Sequence, residues 1–126
     1  MTDVNSYYLE NKHKQLLRIV NFYEKQIDVL DKMLEEVSER YKTSTSESEK
    51  EHFHKAFIEK QNFINDLKHN ININNYLLTK ELTQKNGVVS EVLVKENKVI
   101  ENDVVKFENE VNELSKDFKL YIMNRI

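Results

Sequence analysis

Apolar residues recur at alternating steps of four and three through three long stretches of the chain, the signature of amphipathic helices packed along a seam. In the first stretch the repeat runs Leu9, Leu16, Val20, Tyr23, Ile27, Leu30, Leu34, Val37 and Tyr41, with His13 in the slot the apolar series leaves open. This predicts a helix over about 7–42. A second row, Ile19, Phe22, Val29 and Met33, lies beside it and widens the face beyond the narrow seam of a two-stranded coiled coil. The second stretch runs Phe53, Phe57, Ile64, Leu67, Ile71 and Leu78, flanked by Ala56, Phe63 and Leu77, and predicts a helix over about 48–86. Its polar slots are Lys60 and Asn74. The third, Leu93, Ile100, Val104, Phe107, Val111, Leu114, Phe118 and Tyr121, has Asn97 as its polar slot and predicts a helix over 90–123. Its opening residues 88–100 are rich in β-branched side chains, which leaves a short strand or hairpin as the alternative there.

The breaks in the repeat mark the corners. Residues 43–49 are Thr, Ser and Glu, whose short side chains compete for backbone hydrogen bonds and cap helix starts. Both Ser44 with Glu47 and Ser46 with Glu49 match the capping box. The single glycine, Gly87, marks the second corner, because glycine reaches the left-handed conformation at a helix C-terminus without steric cost. With no proline to interrupt them, three helices of similar length joined by short turns close as an all-α, antiparallel up-down-up bundle, one domain over 1–126.

Composition narrows the function classes. The 126 residues are 39% hydrophobic and 33% charged, and 19 basic against 22 acidic side chains are interspersed from end to end. With no basic stripe, nucleic acid is not an expected partner. No apolar run approaches the ~20 residues that cross a bilayer, and residues 1–10 do not read as a signal peptide. The cysteine count is zero, so disulfides and thiolate metal sites are out and a cytoplasmic location is the expectation. No glycine loop to cradle phosphate and no nucleophile–base motif is present, so the chain is not expected to be an enzyme or to hold a cofactor.

Two carboxylate–histidine pairs, Glu10 with His13 and Asp66 with His69, have the three-residue spacing that helical di-metal sites use. His69 falls between the core residues Leu67 and Ile71 and should face outward, so no four-helix ligand cage is expected. Glu51, His52 and His54 read as exposed groups flanking a buried Phe53. Folding the first two helices back on each other puts His13 level with Asn74 and Asn75, and the Gly87 turn brings Asn97 to that level. His13, Asn74 and Asn97 thus form an expected buried polar layer, either a register-setting device or a metal- or small-ligand site. Lys60 is expected to pair with Asp28 or Asp31, or to lie along the seam with its ammonium in water.

Apolar residues outside the seam, Phe22, Val29, Ile58, Ile73 and Tyr76, are the candidate interface, and they favour a homodimer or a helical protein partner. The stretch Glu51, His52, Phe53 through Phe57 and Ile58, then Ile64, Leu67, Lys68 and His69, preceded by Phe22, Tyr23 and Ile27, resembles an uncharacterised family of small bacterial all-helical proteins. That resemblance spans the first two helices and implies a bacterial helical bundle, with no activity or site attached.

Overall fold

The computed structural model describes residues 6–42, 46–84 and 89–125, without the side chains of residues 6, 7 and 84. Three helices, α1 (Ser6–Arg40), α2 (Glu47–Gln84) and α3 (Glu91–Met123), each pack on the other two in an up-down-up bundle. The expected turn around Ser44, the last residues of the second helix and the Gly87 corner lie outside the described residues.

Among the described residues the opening of the third segment is helical, and no strand forms. The reason lies in its cap. Ser90 has extended backbone, its hydroxyl accepts from the Leu93 amide at 3.3 Å, and its own amide donates to Glu81 Oε2 at 2.8 Å. The valines that suggested a strand then follow the helical period: Leu93 is buried, Val94 half-buried, and Val92 and Val99 are exposed. At α2 the cap is Ser46, which accepts from the Glu49 amide at 3.1 Å and donates its hydroxyl to Glu49 Oε1 at 3.1 Å.

The apolar seam residues are buried except Val37, Tyr41 and Leu114, and the first and last of these share a cause. Val37 and Leu114 are only half-buried, and the next residues, Ser38 and Ser115, are buried instead. A nearly straight α-helix turns 3.6 residues per turn, so a 3.5-residue repeat slips ~20° per heptad. Counted from Leu9 or Leu93, the slip carries Val37 and Leu114 to the edge of the face and rotates the following residue inward, while the large rings of Phe118 and Tyr121 stay in the core. Ser38 Oγ has no hydrogen-bond partner there among the described residues.

Charged side chains fix how the helices face each other. Along α1 and α2, Lys68 pairs with Glu24 at 2.9 Å, His54 with Asp31 at 3.1 Å, and Gln61 donates to Asp28 at 3.0 Å. Of the two expectations for Lys60, the ion pair with Asp28 or Asp31 does not form: the lysine bonds Glu110 of α3 at 2.5 Å. Antiparallel counting finds the correct level on α1, but Lys60 sits at the centre of α2's inner face. Gln61 and His54, rotated toward α1, take the two aspartates. The Lys60 ammonium, donating to Glu110, holds that carboxyl below the usual carboxylate range.

The core is not continuous. The larger cluster extends from Leu16, Ile71 and Ile100 to an aromatic group in which Phe53, Phe57, Phe118 and Tyr121 meet with ring centroids 4.9–6.4 Å apart. Arg125 closes that end over the Tyr121 ring while pairing with Glu49. A separate small cluster, Leu9, Leu78, Val89 and Leu93, seals the opposite end. Between the two clusters each helix contributes one polar side chain.

Candidate functional site

Those three side chains are His13, Asn74 and Asn97, exposed by only 2%, 3% and 4%. Each sits one helical turn from an apolar layer on either side: 9 and 16 on α1, 71 and 78 on α2, 93 and 100 on α3. His13 Nε2 lies 2.6 Å from Asn74 Oδ1, and Nδ1 lies 3.1 Å from Asn75 Oδ1. Amide oxygens only accept, so both contacts are hydrogen bonds when the ring carries a proton on each nitrogen. A neutral ring makes both when one amide turns its NH2 toward it. Asn97 Nδ2 donates to Glu101 Oε1 at 3.1 Å, and Lys12 lies 3.6 Å from the same oxygen. His13 thus joins α1 to α2, and Lys12 reaches Glu101 of α3, but Asn97 bonds only within its own helix, and among the described residues Asn74 Nδ2 and Asn97 Oδ1 are buried without a partner.

Clefts lie on two sides of this layer. One of about 280 Å³, between α1 and α2, is lined by Glu10, His13, Leu17, Asn75 and Thr79. A second of about 320 Å³, between α2 and α3, is lined by Asn70, Ile73, Asn74, Glu96, Val99 and Asp103. A third of about 400 Å³ continues along α2 and α3, sharing Glu96 with the second and adding Leu77, Lys80 and Val92. The orphaned Asn74 amide thus sits in a groove whose rim carries carboxylates and valines.

Among the described residues no three His, Asp or Glu side chains converge at metal-binding distances. Glu10 lines the same cleft as His13, while Asp66 and His69 are exposed on α2. His52 and His54 are exposed on either side of the buried Phe53, and His54 bonds Asp31. No described helix is long and apolar enough to cross a membrane.

The five residues expected at an interface are all exposed, Phe22 by 60% and Val29 by 56%, but they do not form one patch. At 100° per residue, Phe22 and Val29 occupy a strip of α1 turned away from α2, which α1 meets through Glu24, Asp28 and Asp31. Ile58 and Tyr76 stand on the outer face of α2, and Ile73 lines the α2/α3 groove. Sequence reasoning missed Val92 and Val99, exposed by 64% and 58% on the α3 wall of that groove. Their β-branched character fits the strand alternative as well as a helix, and their seven-residue spacing is the clue that marks them as one face of a helix.

Comparison with protein-family models, with curated proteins and with solved structures finds no match to this chain.

Proposed function

We propose that the protein is a non-enzymatic binding bundle that acts by associating with protein, either a second copy of itself or another helical partner, in the cytoplasm. The observation that carries this reading is the set of large apolar side chains exposed on the outer faces, Phe22 and Val29 on α1 above all. Isolated exposed apolar residues are ordinary, but two of them one heptad apart on a helix form an anchor pair of the kind that helical partners bury. The test is to replace Phe22 and Val29 together by glutamate. Association measured by sedimentation should be lost while the helical circular dichroism is unchanged; a double variant that associates like wild type removes this strip from the interface.

A second reading, a metal- or small-ligand bundle centred on His13, is favoured by one observation: the Asn74 amide is buried with a free donor beside a cleft. Elemental analysis of untagged protein decides its metal form. Stoichiometric iron, zinc or manganese would support it, and none would eliminate it.

A further inference from the structure

The groove between α2 and α3 and the outer strip of α1 carry opposite charge on the same spacing. On α3, Glu96, Asp103 and Glu110 recur every seven residues toward α2. Lys60 neutralises Glu110, but α2 presents Asn70 and Ile73 to the groove beside Asp103 and Glu96, with Lys80 further along near Glu96, and neither Glu96 nor Asp103 has an ion-pair or hydrogen-bond partner among the described residues. Val92 and Val99 alternate with them. On α1, Arg18 and Lys25, also seven apart, are exposed and make no ion pair among the described residues, and Phe22 and Val29 alternate with them.

From the association reading above, on which this step rests, we infer that the occupant of the α2/α3 groove is the outer α1 strip of a second copy of the chain. Laid antiparallel to α3, the strip matches it residue for residue. Val29, Lys25, Phe22 and Arg18 step back along α1 by four, three and four, and Val92, Glu96, Val99 and Asp103 step forward along α3 by four, three and four. Val29 then meets Val92, Lys25 meets Glu96, Phe22 meets Val99 beside Ile73, and Arg18 meets Asp103. Both ladders have the same axial rise, since seven helical residues span ~10.5 Å in either. Apolar thus falls on apolar and cation on carboxylate, the complementarity that fixes register at a docking surface.

The contact also sets the form of the assembly. In a bundle where all three helices pack mutually, the groove between α2 and α3 lies on the side opposite α1. One copy therefore offers strip and groove on opposite faces, and two copies cannot satisfy both at once. The interface is head-to-tail, each bundle inverted relative to the next, and it builds open chains of bundles or rings in place of a closed dimer.

The experiment uses two charge-reversed proteins, R18E/K25E and E96K/D103K, in sedimentation velocity at about 50 mM salt, where exposed pairs are least screened. Wild type should give species of rising mass as concentration increases. Each variant alone should remain at 15.1 kDa, its self-association weakened at least tenfold. An equimolar mixture should regain assembly, because the acidic strip of one fits the basic groove of the other and the two unaltered faces still match; this rescue also shows that both variants are folded. Variants that assemble alone like wild type, or a mixture that stays monomeric, overturn the ladder. If assembly survives both reversals but is lost in F22E/V29E, the association reading stands and this register falls. A wild type that is monomeric throughout overturns both.

Discussion

Replacing His13 by leucine strips the buried layer of its central partner. Asn74, 97% buried by the complement of its 3% exposure, then has neither amide end satisfied. A newly orphaned buried polar atom costs ~1–3 kcal/mol, and the shape change from imidazole to leucine adds up to ~1.5 kcal/mol. The expected destabilisation is therefore about 2–4 kcal/mol. Replacing Asn74 by leucine orphans the His13 Nε2 but also removes the unpartnered Asn74 Nδ2, so it should cost less, about 1–2 kcal/mol. The double variant H13L/N74L has no orphan in this pair. Only Asn75 loses a partner, and it is exposed, so water replaces the ring. Two leucines now join the apolar layers above and below, and exchanging a buried polar pair for apolar residues is often neutral or stabilising by ~1–4 kcal/mol. The double variant should thus be no less stable than wild type, with a coupling energy of about 3 kcal/mol or more between the two sites. Urea unfolding followed by circular dichroism reads all four corners of this cycle. Additive costs, leaving the double variant the least stable of the four, would refute the claim that the layer sacrifices stability. The same variant tests what the sacrifice gains: with the layer apolar, the two core clusters merge, and helix register should loosen, seen as broadened amide resonances in α1 and α2.

Two further predictions concern single contacts. The Lys60 ammonium holds the Glu110 carboxyl low, so this pair stabilises the fold above the ordinary carboxylate value of 4.5 and loses that contribution as pH falls through the lower folded value. Glu110→Gln should cost up to ~1 kcal/mol at pH 7, the range of solvent-screened pairs, and its stability gap from wild type should close on acidification; a gap that is constant with pH excludes the ion pair as its cause. Ser90→Ala removes the α3 cap and should destabilise by ~1 kcal/mol, with amide exchange quickening first at Leu93; a change below ~0.3 kcal/mol would mean the Glu81 bond to the Ser90 amide holds the helix start unaided.

Helix number, direction and nearly every buried residue were legible in the heptad pattern, because burial follows directly from a 3.6-residue period. The level of the polar layer was legible too, since antiparallel counting about a short turn aligns His13 with Asn74 and Asn75. What the pattern does not carry is azimuth. A linear repeat shows that Lys60 is in the seam but not whether it leans to α1 or α3, and it found neither the Glu110 pair nor the slip that buries Ser38 and Ser115. The same limit grouped Phe22, Val29, Ile58, Ile73 and Tyr76 as one interface, when they lie on separate faces. It also concealed the match between the α1 strip and the α2/α3 groove, because the match exists only once the side of α3 that meets α2 is known. The exposed valines of α3, seven residues apart, are the signal the sequence carries for that face.

The association reading depends most directly on the mass of the wild-type protein in solution. Sedimentation velocity over a hundredfold range of concentration, at low and at high salt, should show species heavier than the 15.1 kDa chain that grow with concentration and recede as salt screens the pairs. A single 15.1 kDa species at every concentration and both salts would contradict it.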